Sequence, residues 1–288
     1  MDTKQLKWIY LTILSLIWGS SFILIKKGLV GLTAIQVGSF RIIFAALFLL
    51  IVGFNSLKKI SRRQWKYVAI TSLFGTFMPA YLFAIAETQV NSSIVAILNS
   101  LTPLNTLVLG IIAFGIQFQK RQVLGVFVGL IGCLLLVLSG DSSSGTQNYL
   151  YVLLVVMATL SYAINVNLIK KYLHDLNSVS ITTGNFTILL LPALLILSTT
   201  DIGQKIHFEE TQHSILFVMI LGVLGTGIAN VLFFKLIQMS SPVFATSVTY
   251  LIPIVAFFWG LLDNEFLTPI QSLGAFVILI GVYLSAKK

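Results

Sequence analysis

The sequence predicts an all-α membrane protein: ten transmembrane helices arranged as two inverted five-helix repeats. Three observations carry this prediction. Hydrophobic residues make up 57% of the 288 and charged residues only 9%, against about 25% charged in a soluble domain. Apolar runs of spanning length follow one another with short connections. The second half of the chain repeats the first at offsets of 144 to 150 residues.

No soluble fold of this length hides so much apolar surface in one core, so lipid must solvate the rest. A span needs about 20 mostly apolar residues. Ten runs qualify: 8–27, 34–54, 66–86, 92–115, 122–139, 148–169, 178–199, 214–237, 242–262 and 268–285. In lipid every backbone polar group needs an internal partner, which makes these runs helices. A barrel would show short alternating strands, whereas these runs are apolar all round. Lys4 and Lys7 ahead of the first run mimic a signal peptide. That run is too long, and it ends in Ile25-Lys26-Lys27 with no small-residue cleavage site, so it reads as a retained span.

Orientation follows from Lys and Arg in the loops. With the N-terminus in the cytoplasm, 13 of the 18 basic residues fall on the inner side, among them Lys58, Lys59, Arg62, Arg63, Lys287 and Lys288. Lys26, Lys27 and Lys205 fall outside, while Arg41 and Lys235 lie within spans. Both termini are therefore expected in the cytoplasm, and the location expected is a bacterial inner (plasma) membrane, crossed many times. The net charge of +9 does not imply nucleic acid, because the basic residues are confined to short inter-span segments. Cys133 is the single cysteine, which excludes internal disulfides and cysteine-built metal sites. No cofactor and no metal are expected.

The repeat is read from paired positions. Ser72 to Thr76 matches Gly222 to Thr226, including Gly75-Thr76 against Gly225-Thr226, and Pro103 matches Pro253. Leu124-Gly125-x-Phe127-Val128 matches Leu273-Gly274-x-Phe276-Val277, and Ile25-Lys26-Lys27 matches Ile169-Lys170-Lys171, which sets Trp18 against Tyr162. The repeats are 1–140 and 141–288. Five spans is an odd number, so the second repeat enters the membrane upside down, a device of transporters whose site lies where the halves meet. Chance similarity between apolar helices explains matched Leu and Phe less badly than it explains matched Gly-Thr and Pro.

Leu16-Ile-Trp18-Gly19-Ser20-Ser21-Phe22 followed by Lys26 resembles the first-span signature of the drug/metabolite transporter superfamily, EamA type. Arg41 matches that family's usual arginine. Glu265-x-x-Thr268-x-x-Gln271-x-x-Gly274 is similar to its recurring motif, although the first half has Ile116-Gln117 where a second Glu would stand. The resemblance covers the whole chain. It implies two inverted five-helix repeats around a central cavity, and transport, often export, of amino acids, related metabolites or drugs.

Polar groups within spans are costly and usually face a cavity or another helix. Arg41 costs roughly 2.5 kcal/mol or more at its depth. It can bind a substrate carboxylate or pair with helix-end carbonyls and lock its span. Pro103 and Pro253 lack an N–H and so free the carbonyls of Asn99 and Thr249. Breaks at corresponding positions of two halves point to a transport site, and freed carbonyls suit a substrate ammonium, or the kinks are simply packed over. Trp18 and Tyr162 sit at mid-depth rather than at the interface, as cavity walls would. Asn99, Asn165, Asn167, Asn230 and Tyr250 supply hydrogen-bonding groups, although asparagines between helices also act as packing glue. Lys235 can snorkel to water. Gly125-x-x-x-Gly129 serves packing within the protein or a homodimer. A monomer or weak homodimer in the bilayer, acting on a small-molecule substrate, is expected.

Proton-driven carriers place Asp, Glu or His inside the membrane. Here all nine acidic residues and the three histidines fall in loops or at span ends, so no carboxylate relay is expected. A membrane-embedded enzyme would need a nucleophile with its base, paired carboxylates or a metal cluster, and no such grouping stands within the spans. A sensor or assembly factor would need a soluble part to carry its signal. The sequence therefore reads as a non-enzymatic carrier working by alternating access.

Overall fold

A computed structural model of the chain describes residues 3–90, 95, 98–138, 149–262 and 269–286. These residues form helices and turns, with no strand among them. The 140/141 repeat boundary, Glu265, Thr268, Lys287 and Lys288 lie outside the described residues, as do the side chains of Cys133 and Gln271.

The first apolar stretch is two helices, α1 (Thr3–Gly19) and α2 (Ser21–Gly31). The Ser20 and Ser21 hydroxyls donate to the carbonyls of Leu16 and Ile17 at 2.9 Å each, and such back-bonding bends a helix. A capping box starts α3 (Ala34–Gly53): Thr33 Oγ1 accepts from the Gln36 N–H, and the Gln36 side chain accepts from the Thr33 N–H. Ser61 and Gln64 form the same box ahead of α4 (Arg62–Ser72). From there the chain runs through a π-helical segment, Leu73–Phe77, into α5 (Met78–Ala86). α6 (Thr102–Ile112) and α7 (Lys120–Leu138) follow.

The second half begins with α8 (Tyr149–Tyr172). Asn177, the match of Thr33 at an offset of 144, caps α9 (Ser178–Ser198) by accepting from the Val179 N–H at 2.8 Å. α10 (Glu209–Ile220) passes through a second π-helical segment, Leu221–Ile228, into α11 (Ala229–Met239). A one-turn helix, Pro242–Thr246, precedes α12 (Val248–Leu262), and α13 (Pro269–Ala286) ends the described chain.

Among the described residues six helical stretches are long and apolar enough to cross a membrane: Gln5–Gly31, Ala34–Lys59, Arg62–Ala86, Leu150–Tyr172, Ser178–Ser198 and Glu209–Met239. The shorter apolar helices Thr102–Ile112, Pro242–Val255 and Ser272–Ser285, together with α7, stand where the other four spans are expected. The ten-span expectation thus resolves into six clear spans plus shorter helices. Apolar side chains such as Ile51, Ile112, Leu191 and Phe276 are exposed on the outside, as a lipid-facing surface requires.

The two prolines behave differently from one another. Pro103 stands in the first turn of α6, where a missing N–H costs nothing. Pro253 lies inside α12, and the interruption comes earlier, at Ser247. The expected helix break at Pro253 is therefore corrected. The Ser100 hydroxyl donates to the Thr249 carbonyl at 3.3 Å, so the acceptor freed by Pro253 is served without opening the helix.

Packing pairs the halves. α3 lies along α9, and α7 along α13. α1 packs on α11 and α12, while α8, its match, packs on α5 and α6, their matches. The α7–α13 pair is close because its contact residues are small. A Cβ at Gly125 would meet the Gly281 carbonyl and Ser285, and one at Gly132 would meet the backbone of α13 at Ile278. Gly125-x-x-x-Gly129 thus serves packing within the chain. A core cluster including Leu14, Ile169, Phe234, Ile237 and Phe244 ties α1, α8, α11 and the one-turn helix together.

Candidate functional site

Between the halves lies a cavity of about 840 Å³, its mouth included. Trp18, Arg41, Asn99, Tyr162, Asn165 and Asn230 all line it, contributed by α1, α3, α8, α11 and the stretch before α6. Six of the seven residues expected to bind substrate therefore converge.

The local chain explains how each is held. A π-helical segment contains one residue more than an α-helix accommodates, and such bulges concentrate at functional sites. Both bulges fall on the matched Gly-Thr pairs and both border the cavity through Gly75, Thr76 and Thr226. In the second, the Thr226 hydroxyl donates to the Leu221 carbonyl at 3.1 Å, filling the widened turn. The Trp18 indole N–H donates to the Gly225 carbonyl at 2.9 Å, and its ring meets Phe233 edge-on at 5.0 Å. In the first bulge, Asn165 presses on Gly75 so closely that a Cβ there would strike its amide. Ser21 stands in the same relation to Gly225. Ser21 and Asn165 are matched at an offset of 144, so each half's first helix reads the bulge of the other half.

Among the described residues Arg41 is the one charged residue lining the cavity. Its Nε donates to Thr226 Oγ1 at 2.6 Å, and Tyr162 stands near enough to feel its charge. Tyr162 stacks on Phe83 with ring centroids 5.9 Å apart. With Trp18, Phe22 and Phe233, these rings give the cavity mostly apolar walls.

Contacts correct one expectation, at Tyr250, and narrow two that had alternatives. Tyr250 is fully buried away from the cavity: its hydroxyl donates to the Val126 carbonyl at 2.9 Å and its ring lies against Gly129 of α7. The carbonyls freed by the prolines each have a partner within the protein: the Thr102 hydroxyl donates to the Asn99 carbonyl at 2.7 Å just as Ser100 serves Thr249. Asn167 is packing glue, its amide donating to the carbonyls of Thr106 and Ala163 at 3.0 Å. Lys235 is exposed on α11, as a snorkelling residue is. Sequence reasoning missed Ser21, Thr76 and Thr226 as cavity residues, although the matched Gly-Thr pairs carried the signal. Among the described residues no three His, Cys, Asp or Glu side chains group to hold a metal.

Comparison with known proteins agrees with this architecture. The chain is 28% identical over 94% of its length to the uncharacterized inner membrane transporter YedA of Escherichia coli (strain K12), covering 87% of that protein. It is 23% identical to an uncharacterized transporter of Archaeoglobus fulgidus, over 98% of this chain and 99% of the relative. A solved crystal structure with 14% sequence identity shares the fold, with a TM-score of 0.73 over 96% of this chain and 95% of the other. The EamA-like transporter family matches residues 6–138 and again 149–287, one match to each side of the cavity. A helical chain with apolar spans and a cavity between two family-matched halves thus belongs to the EamA-like transporter family.

Proposed function

We propose that this transporter moves small metabolites across a bacterial inner membrane by alternating access, its two halves being inverted five-helix repeats that rock about the cavity. Export of amino acids or related compounds is the cargo reading that the resemblance favours, and the excess of inner-side Lys and Arg supports cytoplasmic termini. The observation that carries the proposal is the exchange of contacts at the cavity: Ser21 on Gly225, Asn165 on Gly75. Two matched surfaces, each made of one half's first helix and the other half's bulge, are what alternating access between inverted repeats needs.

Counterflow in proteoliposomes tests it. Vesicles preloaded with unlabelled amino acids, or with other metabolites in turn, should take up labelled solute saturably. Asn99→Ala and Asn230→Ala should reduce that uptake, whereas Asn167→Ala should leave the substrate preference unchanged. Uptake should not respond to an imposed proton gradient. Counterflow for no solute, from protein shown to be folded, would remove the carrier reading.

A further inference from the structure

The geometry points to Arg41 as the anion receptor of the cavity: the transporter selects compounds carrying a single carboxylate on an apolar body and rejects organic cations that lack one. This inference rests on the carrier reading of the cavity and specifies the charge it recognises.

Four observations lead to it. Among the described residues Arg41 is the one charged residue on the wall, so these residues give the cavity a positive charge and no acidic counterpart. The ion pairs among the described residues join His174 to Asp175 and Lys205 to Asp201, and neither involves Arg41. A cation at this depth without a carboxylate partner is expensive, and an anionic ligand supplies the missing charge. The guanidinium is also held in place. Its Nε is committed to Thr226 at 2.6 Å, with Tyr162 of another helix nearby. A planar fork fixed at its base and presenting its terminal N–H groups suits bidentate capture of a carboxylate. One positive charge matches one carboxylate better than a phosphate monoester, which carries nearly two charges near neutral pH. The rest of the wall, with Trp18, Phe22, Phe83 and Phe233, accepts an apolar or aromatic body.

The opposite charge meets only neutral acceptors, since no Asp or Glu is among the described residues lining the cavity. The carbonyls of Asn99 and Thr249 each already receive one hydroxyl, from Thr102 and Ser100. A zwitterion would therefore be held chiefly by its carboxylate, because a charge-assisted pair is stronger than a bond to a neutral acceptor.

Four probes of one shape separate the charges: 3-phenylpropanoate, L-phenylalanine, 3-phenylpropanamide and phenethylamine. Binding is measured as ligand-dependent thermal stabilisation of the full chain in lipid nanodiscs, so transport is not required for a reading. The two carboxylates should bind roughly 10- to 100-fold more tightly than the amide and the amine, as a charge-assisted hydrogen bond implies. Arg41→Gln should bring the acid down to the level of the amide while amide binding stays unchanged, and Arg41→Lys should restore part of the difference. A purely structural Arg41 would instead weaken all four alike. Should Arg41→Gln not fold, the wild-type series still decides. Equal binding of acid, amide and amine would overturn the inference, as would tighter binding of the amine. Binding of none of the four, alongside counterflow for another solute, would overturn it while leaving the carrier standing. Absence of both would remove the carrier reading as well.

Discussion

The two π-helical segments occupy matched positions, yet their threonines live differently. Thr226 accepts from Arg41 and donates to the Leu221 carbonyl. Thr76, its match, has a buried hydroxyl oxygen with no partner among the described residues, and the Oδ1 of the neighbouring Asn165 is in the same position. The second bulge is satisfied and the first is not. A duplicated frame has been kept at the level of the backbone while the polar chemistry has become one-sided. This one-sidedness concentrates the cavity's charge on α3 and leaves the matched site neutral.

The largest effect that should separate the two bulges is the loss of the hydroxyl. Thr226→Val removes the acceptor of a half-buried charged donor and should cost about 1.5–3 kcal/mol. Thr76→Val removes an oxygen that has no partner and should be nearly neutral or stabilising. Thermal unfolding in matched detergent or nanodiscs measures both, and equal losses would dissolve the distinction.

Next comes the packing at the glycines. Gly75→Ala drives a Cβ into three atoms of the Asn165 amide and should cost about 1–3 kcal/mol. Gly225→Ala meets chiefly the Ser21 hydroxyl and the end of Leu221, groups that can turn aside, so its cost should be smaller. A larger loss for Gly225→Ala would mean that the second bulge is the tighter one.

Trp18→Phe keeps an aromatic wall but deletes the N–H donated to the Gly225 carbonyl. A loss of about 0.5–1.5 kcal/mol is expected, again read by thermal unfolding. If Trp18→Phe costs nothing, the bulge carbonyl has found another donor and the second segment is less dependent on the first helix than its geometry suggests.

The smallest effect lies outside the membrane. Asp201, in the turn between α9 and α10, accepts from the Gln36 side chain at 2.9 Å and pairs with Lys205 at 2.7 Å. The Lys205 hydrogen bond, with Gln36 adding to it, holds the Asp201 carboxyl below its usual range. A lowered carboxylate pKa contributes stability that is present above the ordinary value near 4 and is lost as pH falls through the lower folded value. The stability of the wild type should therefore fall slightly below about pH 4, and Asp201→Asn should flatten that part of the curve. This clasp joins the first half to the loop that leads into the second bulge. Near the start of α4 and the end of α8, Tyr67 and Tyr172 stack at 4.3 Å.

Much of this was legible in the residues. The matched Gly-Thr pairs marked both bulges, although nothing in a Gly-Thr pair says that the turn will widen, because a π bulge depends on which groups from other helices take the released carbonyls. Arg41 was visible as a charge in an apolar run, while its partner Thr226 lies 185 positions away along the chain. Tyr250 was misjudged because an aromatic beside a proline looks the same in sequence whether it faces a cavity or a glycine of a packed neighbour.

The sequence alone determined that the chain lives in lipid and that its halves share a frame, since hydropathy is a sum over local residues and a repeat is a comparison of letters. Tertiary structure alone decided which polar groups meet the cavity. Asn165 and Asn167 show why: two residues apart on α8, they point about 200° away from each other around the helix. One reaches the cavity wall beside Gly75. The other turns to α6 and gives its amide to the Thr106 carbonyl. The rotation of a helix that is apolar on every side is set by the neighbours it packs against, and those come from the other half of the chain.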